Sequence, residues 1–415
     1  MRAVLAVLLC LYVVALHTSI AAMETVSWLI FVLTVGYKLK CRSRFNFPHS
    51  LLFGALAFWV ALSLAVNPPL KDWIVQLGFM RWTLLVWGFA WALDLVWSDQ
   101  FEKSLLRVWM GVLIITGLYA GLQFLTGVDF VRGSGTVVDA QGGGFYKATG
   151  FFSMSLTFAY AVGASTLLAW TATRGGRFCA YVRILAGLSG GIGVIGSMSR
   201  GAWIAFMAAM LGYAATVGRR FFAGVLALMG ATVVVLFLFV PAIHNRITAI
   251  LHIGMDHSSS VRVHLWRAYW EMAKDNLLLG VGLFQGDRLL PQYYERLGIS
   301  ETFTSHAHNV LLQWLAGAGL PALFFYLSLS VLFLVLGWKL RNKTPWALAC
   351  ILAQVYIHIG GLTEANFFDG EVNHMITFIW GLTSMLWWRY LRDDMGGDAK
   401  ISLSSSLCTN ASGTK

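Results

Sequence analysis

The sequence predicts an all-α polytopic membrane protein with about twelve transmembrane helices and one large outer loop carrying amphipathic helices. Two observations carry that prediction, and a third orients it. Of 415 residues, 58% are apolar and 12% are charged, against about 25% charged in a soluble domain. Apolar runs of about 18 or more residues recur from one end to the other, the length a helix needs to cross a bilayer. Short basic clusters punctuate the runs: Lys38, Lys40, Arg42 and Arg44; Arg174 and Arg177; Arg219 and Arg220; Lys339, Arg341 and Lys343.

Such clusters mark the cytoplasmic side of a membrane protein. Twelve spans are predicted, near 3–22, 25–37, 50–67, 73–97, 104–126, 151–172, 180–197, 201–217, 221–240, 319–338, 345–362 and 373–390. With the amino terminus inside, every cluster falls inside, which supports the count. The second span is short and reads as tilted or re-entrant. The first, "MRAVLAVLLCLYVVALHTSIAAM", also fits a signal peptide. It is taken as a retained span, and removing it leaves the later orientation unchanged.

Four regions follow: spans one to nine over 1–240, a large outer loop over 241–318, spans ten to twelve over 319–392, and a Ser-rich disordered tail over 393–415. The net charge of +11 sits in the links between spans, and no basic-patch module accompanies it, so membrane lipid and not nucleic acid is the expected surroundings. Cys41, Cys179 and Cys408 fall inside, and Cys10 and Cys350 fall within spans, so no disulfide is expected.

Two outer segments stand out. Residues 127–148 include the glycine-rich "RGSGTVVDAQGGG", read as a flexible loop. The 241–318 loop is too long for a simple connection. In it, "SVRVHLWRAYWEMAKDNLLLG" repeats Val261, Leu265, Tyr269 and Met272 at helical spacing beside Trp266, Trp270 and Ala273. That pattern predicts an amphipathic helix suited to a membrane surface. "NLLLGVGLFQG" lacks the lysine and spacing of a phosphate loop and reads as a turn leaving that helix.

Chemistry concentrates in three stretches. In "GSMSRGAWIAF", Arg200 interrupts apolar runs at the outer face, where an arginine must snorkel, pair or bind an anion. In "SSSVRVHLWRAYW", Arg262 and Arg267 diverge by about 140° on one helix and do not serve one oxygen pair. Arg262, nearer the helix start and preceded by Ser258, Ser259 and Ser260, is the better anion ligand; Arg267 and Ser260 remain secondary substrate-binding candidates. In "SHAHNVLLQWLAGAGLP", His306 and His308 share a face only if extended. A zinc reading would then need a third ligand, with His257, His264 and Glu301 as loose candidates. A single histidine acting as general base needs no partner, and His308 is assigned that role with no metal and no cofactor. His306 and Asn309 are further substrate-binding candidates, Asn309 alternatively capping the next helix. Glu364, Asp369 and Glu371 in "TEANFFDGE" fall in an outer link and read as solvated acids.

The topology brings Arg200, Arg262 and His308 to one side of the membrane. Two guanidiniums suit a diphosphate, and a histidine beside them can take a proton from a hydroxyl. Together they describe transfer of a group from a lipid diphosphate to an alcohol.

On "SRGAW" at 199–203, "RVHLW" at 262–266 and "HAHNVLLQ" at 306–313, the chain resembles the superfamily of O-antigen ligases and O-antigen polymerases, bacterial envelope glycosyltransferases. It departs from the pattern at Leu283, where a third glycine is common, and at Ala322, where a second helix glycine is. The resemblance implies a GT-C-type fold and a metal-independent, inverting glycosyltransferase in the inner membrane, its active site facing the periplasm. The implied donor is undecaprenyl-diphosphate-linked O-antigen, and for a ligase the acceptor is lipid A–core. It further implies that Arg200 and Arg262 hold the diphosphate and His308 activates the acceptor. Two rivals stand beside the ligase: the polymerase, with a lipid-linked glycan as acceptor, and, from another class, a transporter using the link acids.

Overall fold

A computed structural model describes residues 1–67, 71–132, 139–173, 180–251 and 257–394. Helices α1 (Arg2–Thr18) and α2 (Ile20–Lys40) meet at Ser19, whose hydroxyl accepts the Ala22 amide at 3.3 Å. Next come α3 (Ser50–Val66), α4 (Lys71–Phe79) and α5 (Trp82–Val96); a turn at Met80 and Arg81 divides the predicted fourth span between the last two. Helix α6 (Asp99–Thr126) is capped by Ser98, carries Asp99 and Glu102 in its first turn, and stops at Gly127, left-handed at φ 74°. Acids at the start and glycine past the end are what free amides and carbonyls at helix termini favour.

A small antiparallel hairpin, β1 (Ala140–Gly142) and β2 (Phe145–Tyr146), then precedes α7 (Ser155–Ala172), α8 (Ala180–Gly196), α9 (Arg200–Val217) and α10 (Arg219–Phe239). The expected outer segment holds α11 (Pro241–Leu251), α12 (His257–Asp275) and α13 (Gly286–Arg296). Helices α14 (Val310–Leu340), α15 (Pro345–Gly360) and α16 (Gly370–Asp394) follow, with a 3-10 turn at Asn366–Phe368 before the last.

Among the described residues, 6 helices are long and apolar enough to cross a membrane, and shorter apolar helices pack beside them. Helix α10 makes the physical case most directly. Its mean hydropathy reaches 2.6 and none of its residues is buried in the protein. A helix that apolar and that uncovered belongs in hydrocarbon.

Interior packing relies on close backbone approach. A side chain at Gly117 on α6 would meet the Ser189 carbonyl oxygen of α8 at 2.1 Å, the small-residue contact by which helices associate without water to drive them together.

Several expectations change. The second span is neither short nor re-entrant: it is a 21-residue helix, because Ser19 caps it early and Tyr37–Lys40 continue it. Lys38 and Lys40 in its last turn stand where the helix dipole favours cations. The apolar face of α12 does not lie on a membrane. Val261, Leu265, Tyr269 and Met272 are buried against Leu290 and Tyr294 of α13 and Leu315 and Ala316 of α14. Protein covers the stripe that hydrophobic periodicity had assigned to a membrane surface. Trp270 points away from it, 52% exposed.

The predicted turn after that helix is present and has a partner. Val281 and Gly282 donate to the Ala316 and Gly317 carbonyls at 2.8 Å, and Leu320 donates to Leu277. These bonds hold α14 open at Gly319, whose φ of 85° and ψ of 175° break the helix just before Pro321. A Cβ at Gly319 would lie 1.9 Å from the Leu278 oxygen, so glycine is required. The predicted tenth span starts at this break, while residues 310–318, expected in the loop, are already helical. Among the described residues, Cys10, Cys41 and Cys350 form no disulfide; Cys179, Cys408 and tail residues 395–415 lie outside the described residues.

Candidate active site

Three junctions build the site. At the first, α8 ends at Gly196, Met198 takes a left-handed turn (φ 58°), and the Ser199 hydroxyl caps α9 through the Ala202 amide. Arg200 is therefore the first residue of α9, and its guanidinium donates to Ser259 Oγ on α12 at 3.1 Å. At the second, α12 presents Arg262 one turn further along. At the third, residues 305–309 enter α14 through a non-helical segment that bends at His308 and Asn309, beside the link between α15 and α16. Val310 donates to the Gly361 carbonyl at 2.8 Å, and Asn309 Nδ2 to the Leu362 carbonyl at 2.9 Å.

Glu364, on that link, joins the parts. His308 Nδ1 lies 2.9 Å from both of its carboxylate oxygens. Arg262 approaches Oε2 at 3.4 Å, and His306 Nε2 stands 3.6 Å from Oε1. Glu364 is 3% exposed. Burial raises its pKa, but His308, His306 and Arg262 together outweigh burial and hold the carboxyl below its ordinary value. His308 has a left-handed backbone (φ 46°), uncommon outside glycine though tolerated by histidine.

Beside this cluster is a cavity of about 140 Å³. Among the described residues, Lys147, Arg200, Arg246 and Arg262 line it with Glu364 and Tyr160: four cations against one carboxylate. Burial, then Arg246, pushes the Lys147 ammonium below its usual pKa. The hairpin sets Lys147 in place: the Lys147 amide bonds Asp139, and the Ala148 amide bonds Gly196 at the end of α8. Arg246 on α11 is held by Gln141 Oε1 at 3.1 Å. His308 does not line the cavity wall; it stands behind Glu364.

The predicted residues are thus distributed unevenly. Arg200 and Arg262 share the cavity, and Glu364 connects Arg262 to His308. Arg267 is exposed, diverging from Arg262 as its spacing requires, and of the serines before Arg262 it is Ser259 that accepts a hydrogen bond from Arg200. Asn309 serves as the cap: its Oδ1 accepts the Leu311 and Leu312 amides. His306 joins the carboxylate cluster with its ring 40% exposed.

Glu364 corrects the reading of the link acids as solvated. An acid in a short link looks exposed until the chain folds over it, and the bonds from residues 309 and 310 make that closure. Its signal was an acid just after Gly360 and Gly361 between two apolar runs. Part of the glycine-rich loop is likewise not flexible, since residues 140–146 form the hairpin; residues 133–138 lie outside the described residues. Of the third zinc ligands named from sequence, neither His264 nor Glu301 joins the histidines, and the side chain of His257 lies outside the described residues. Among the described residues, the group able to hold a metal is His306, His308 and Glu364. Lys147 and Arg246 carried no motif.

A family model described as O-antigen ligase (Wzy_C) matches residues 184–327, the stretch that contains Arg200, Arg262 and His308. Glu364 and Lys147 fall outside it. No curated protein matches the chain. The matched segment and the apolar helices make this a multi-pass membrane protein. Over residues 184–327, the chain is similar to the O-antigen ligase family.

Proposed function

We propose that the protein is an O-antigen ligase, transferring polysaccharide from undecaprenyl diphosphate to a sugar hydroxyl of lipid A–core on the periplasmic face of the inner membrane. The observation that carries this reading is the cavity with four cations, joined through Glu364 to His308. In this reading the helices take the twelve-span, GT-C-type arrangement expected from sequence.

The chemistry follows from the charges. Arg200 and Arg262, with Lys147 and Arg246 beside them, bind the diphosphate and stabilise the charge it gains on leaving. Glu364 accepts Nδ1–H of His308, which leaves the Nε2 lone pair to take the acceptor proton and stabilises the imidazolium that forms. The acceptor oxygen bonds to the anomeric carbon as the bond to the phosphate oxygen breaks, and that electron pair departs with undecaprenyl diphosphate. A single displacement inverts the anomeric centre. The cations supply the positive charge, so the reaction needs no metal.

The test is transfer from purified lipid-linked glycan to purified lipid A–core. Arg200→Ala, Arg262→Ala and His308→Ala are each expected to abolish transfer with membrane levels unchanged, and EDTA is expected to leave the wild-type rate intact. Wild-type rates in the alanine variants, or EDTA loss restored by added divalent metal, would overturn the reading. A deletion strain separates ligase from polymerase: polymer unattached to lipid A marks the ligase, and core with one repeat unit marks the polymerase.

A further inference from the structure

We infer that His306, His308 and Glu364 form a binding site for a Zn²⁺-class cation, and that occupancy of this site inhibits transfer. The inhibitory part rests on the base role proposed for His308; the binding part does not.

The geometry comes first. One ligand atom from each residue lies within 4.8 Å of the others. His308 Nδ1 is 2.9 Å from Glu364, and His306 Nε2 is 3.6 Å from the same carboxylate. A tetrahedral zinc ion with bonds of about 2.0–2.1 Å sets its ligand atoms about 3.4 Å apart, so the two separations bracket the required edge. The donor set, two imidazoles and a carboxylate, is one zinc sites use. Access is open from one side, because the His306 ring is 40% exposed while the Glu364 side chain is 4% exposed. The fourth position is left for water.

Two features limit affinity. Arg262, 3.4 Å from Glu364 Oε2, adds positive charge next to the metal. His306 Nδ1 also accepts the His308 amide at 3.2 Å, and that bond is given up when Nδ1 takes the ring proton so that Nε2 can ligate. The site is therefore suited to reversible occupancy and not to a permanent structural ion.

Inhibition follows from where the proton goes. Metal on His308 Nδ1 displaces the proton shared with Glu364, and a neutral ring then carries its proton on Nε2. The lone pair proposed to accept the acceptor proton is lost. The metal also takes the carboxylate charge that would stabilise an imidazolium.

Two measurements on the purified full-length protein, with no affinity tag, test this. The first titrates Co²⁺ and reads its visible absorption. Intense tetrahedral bands saturating at one ion per chain are expected, displaced by Zn²⁺ and lost in His306→Ala. Absent bands, or bands that persist in His306→Ala, would overturn the site. The second measures transfer in micromolar Zn²⁺. The rate is expected to fall at least tenfold and to return with EDTA; in His306→Ala, the Zn²⁺ needed for half-inhibition of its own zinc-free rate rises at least tenfold. An unchanged zinc response in that variant refutes the inhibitory role. A chain that binds Co²⁺ but transfers no glycan keeps the metal site and sinks the proposed ligase activity, so the two failures are told apart.

Discussion

The molecule contains two clusters of the same three residue types. In one, Glu364 meets Arg262, His308 and His306. In the other, Glu24 of α2 meets Arg81 at the start of α5 and His374 of α16. The second is closed. Arg81 engages both oxygens of Glu24, His374 Nε2 sits 3.2 Å from Oε1, and the other ring nitrogen bonds Ser27. One carboxylate balances one guanidinium, and the result ties three helices together. The first is open: Glu364 faces a cavity that also holds Lys147, Arg200 and Arg246. Equal residue types therefore make a staple where charge balances and line a positively charged cavity where cations outnumber the carboxylate among the described residues.

The strongest way to break that comparison is to neutralise Glu364. Glu364→Gln keeps the shape but removes the charge that orients His308. Transfer is expected to fall about 10²–10⁴-fold, the usual worth of a correctly held base. The loss should appear in kcat, with membrane level unchanged. A normal kcat with a lowered melting temperature would make this cluster a staple too.

Neutralising Glu24 should do the reverse. Glu24→Gln leaves Arg81 with a half-buried, uncompensated charge and removes the partner of His374. A stability loss of about 1–3 kcal/mol is expected, below that of a fully buried pair because solvent reaches both partners. Thermal unfolding in detergent measures it. Transfer below the melting temperature should match wild type, and a selective kcat loss would assign the second cluster a catalytic share.

The two clusters also mark what can be read before folding. As candidates, Arg200 was legible because it interrupts apolar runs, Arg262 because it follows serines at a helix start, and His308 because its imidazole stands just before an apolar run. The long helices were legible because hydrocarbon thickness dictates their length. Glu364 was not, since its burial depends on residues 309 and 310 closing onto a link more than fifty positions away. Lys147 depends on a hairpin too small to show in periodicity, and Arg246 on its hydrogen bond to Gln141. The covered face of α12 was misassigned because amphipathicity reports that a stripe will be buried, not what buries it.

A measurement against pH sharpens the comparison by testing why the open cluster stays positive. Asp369 lies five residues after Glu364, and its Oδ2 accepts a hydrogen bond from Thr157 at 3.0 Å. Burial, then the charges of Glu364 and Glu371, pushes its pKa from 3.8 to about 8, against the opposing pull of Thr157. Two neighbouring carboxyls are thus driven apart, Glu364 charged and Asp369 neutral at pH 7, and the second acid does not offset the cations. Because the folded state holds this proton more tightly than the unfolded chain, its contribution is fully present below about pH 4 and is lost as pH rises toward 8. The melting temperature should therefore decline across that window and level off above it. In Asp369→Asn, which cannot ionise, this part of the slope should vanish while transfer at pH 7 is retained. A slope unchanged by the substitution would mean Asp369 is already ionised at neutral pH, and the cluster's positive excess would then be smaller than its four cations imply.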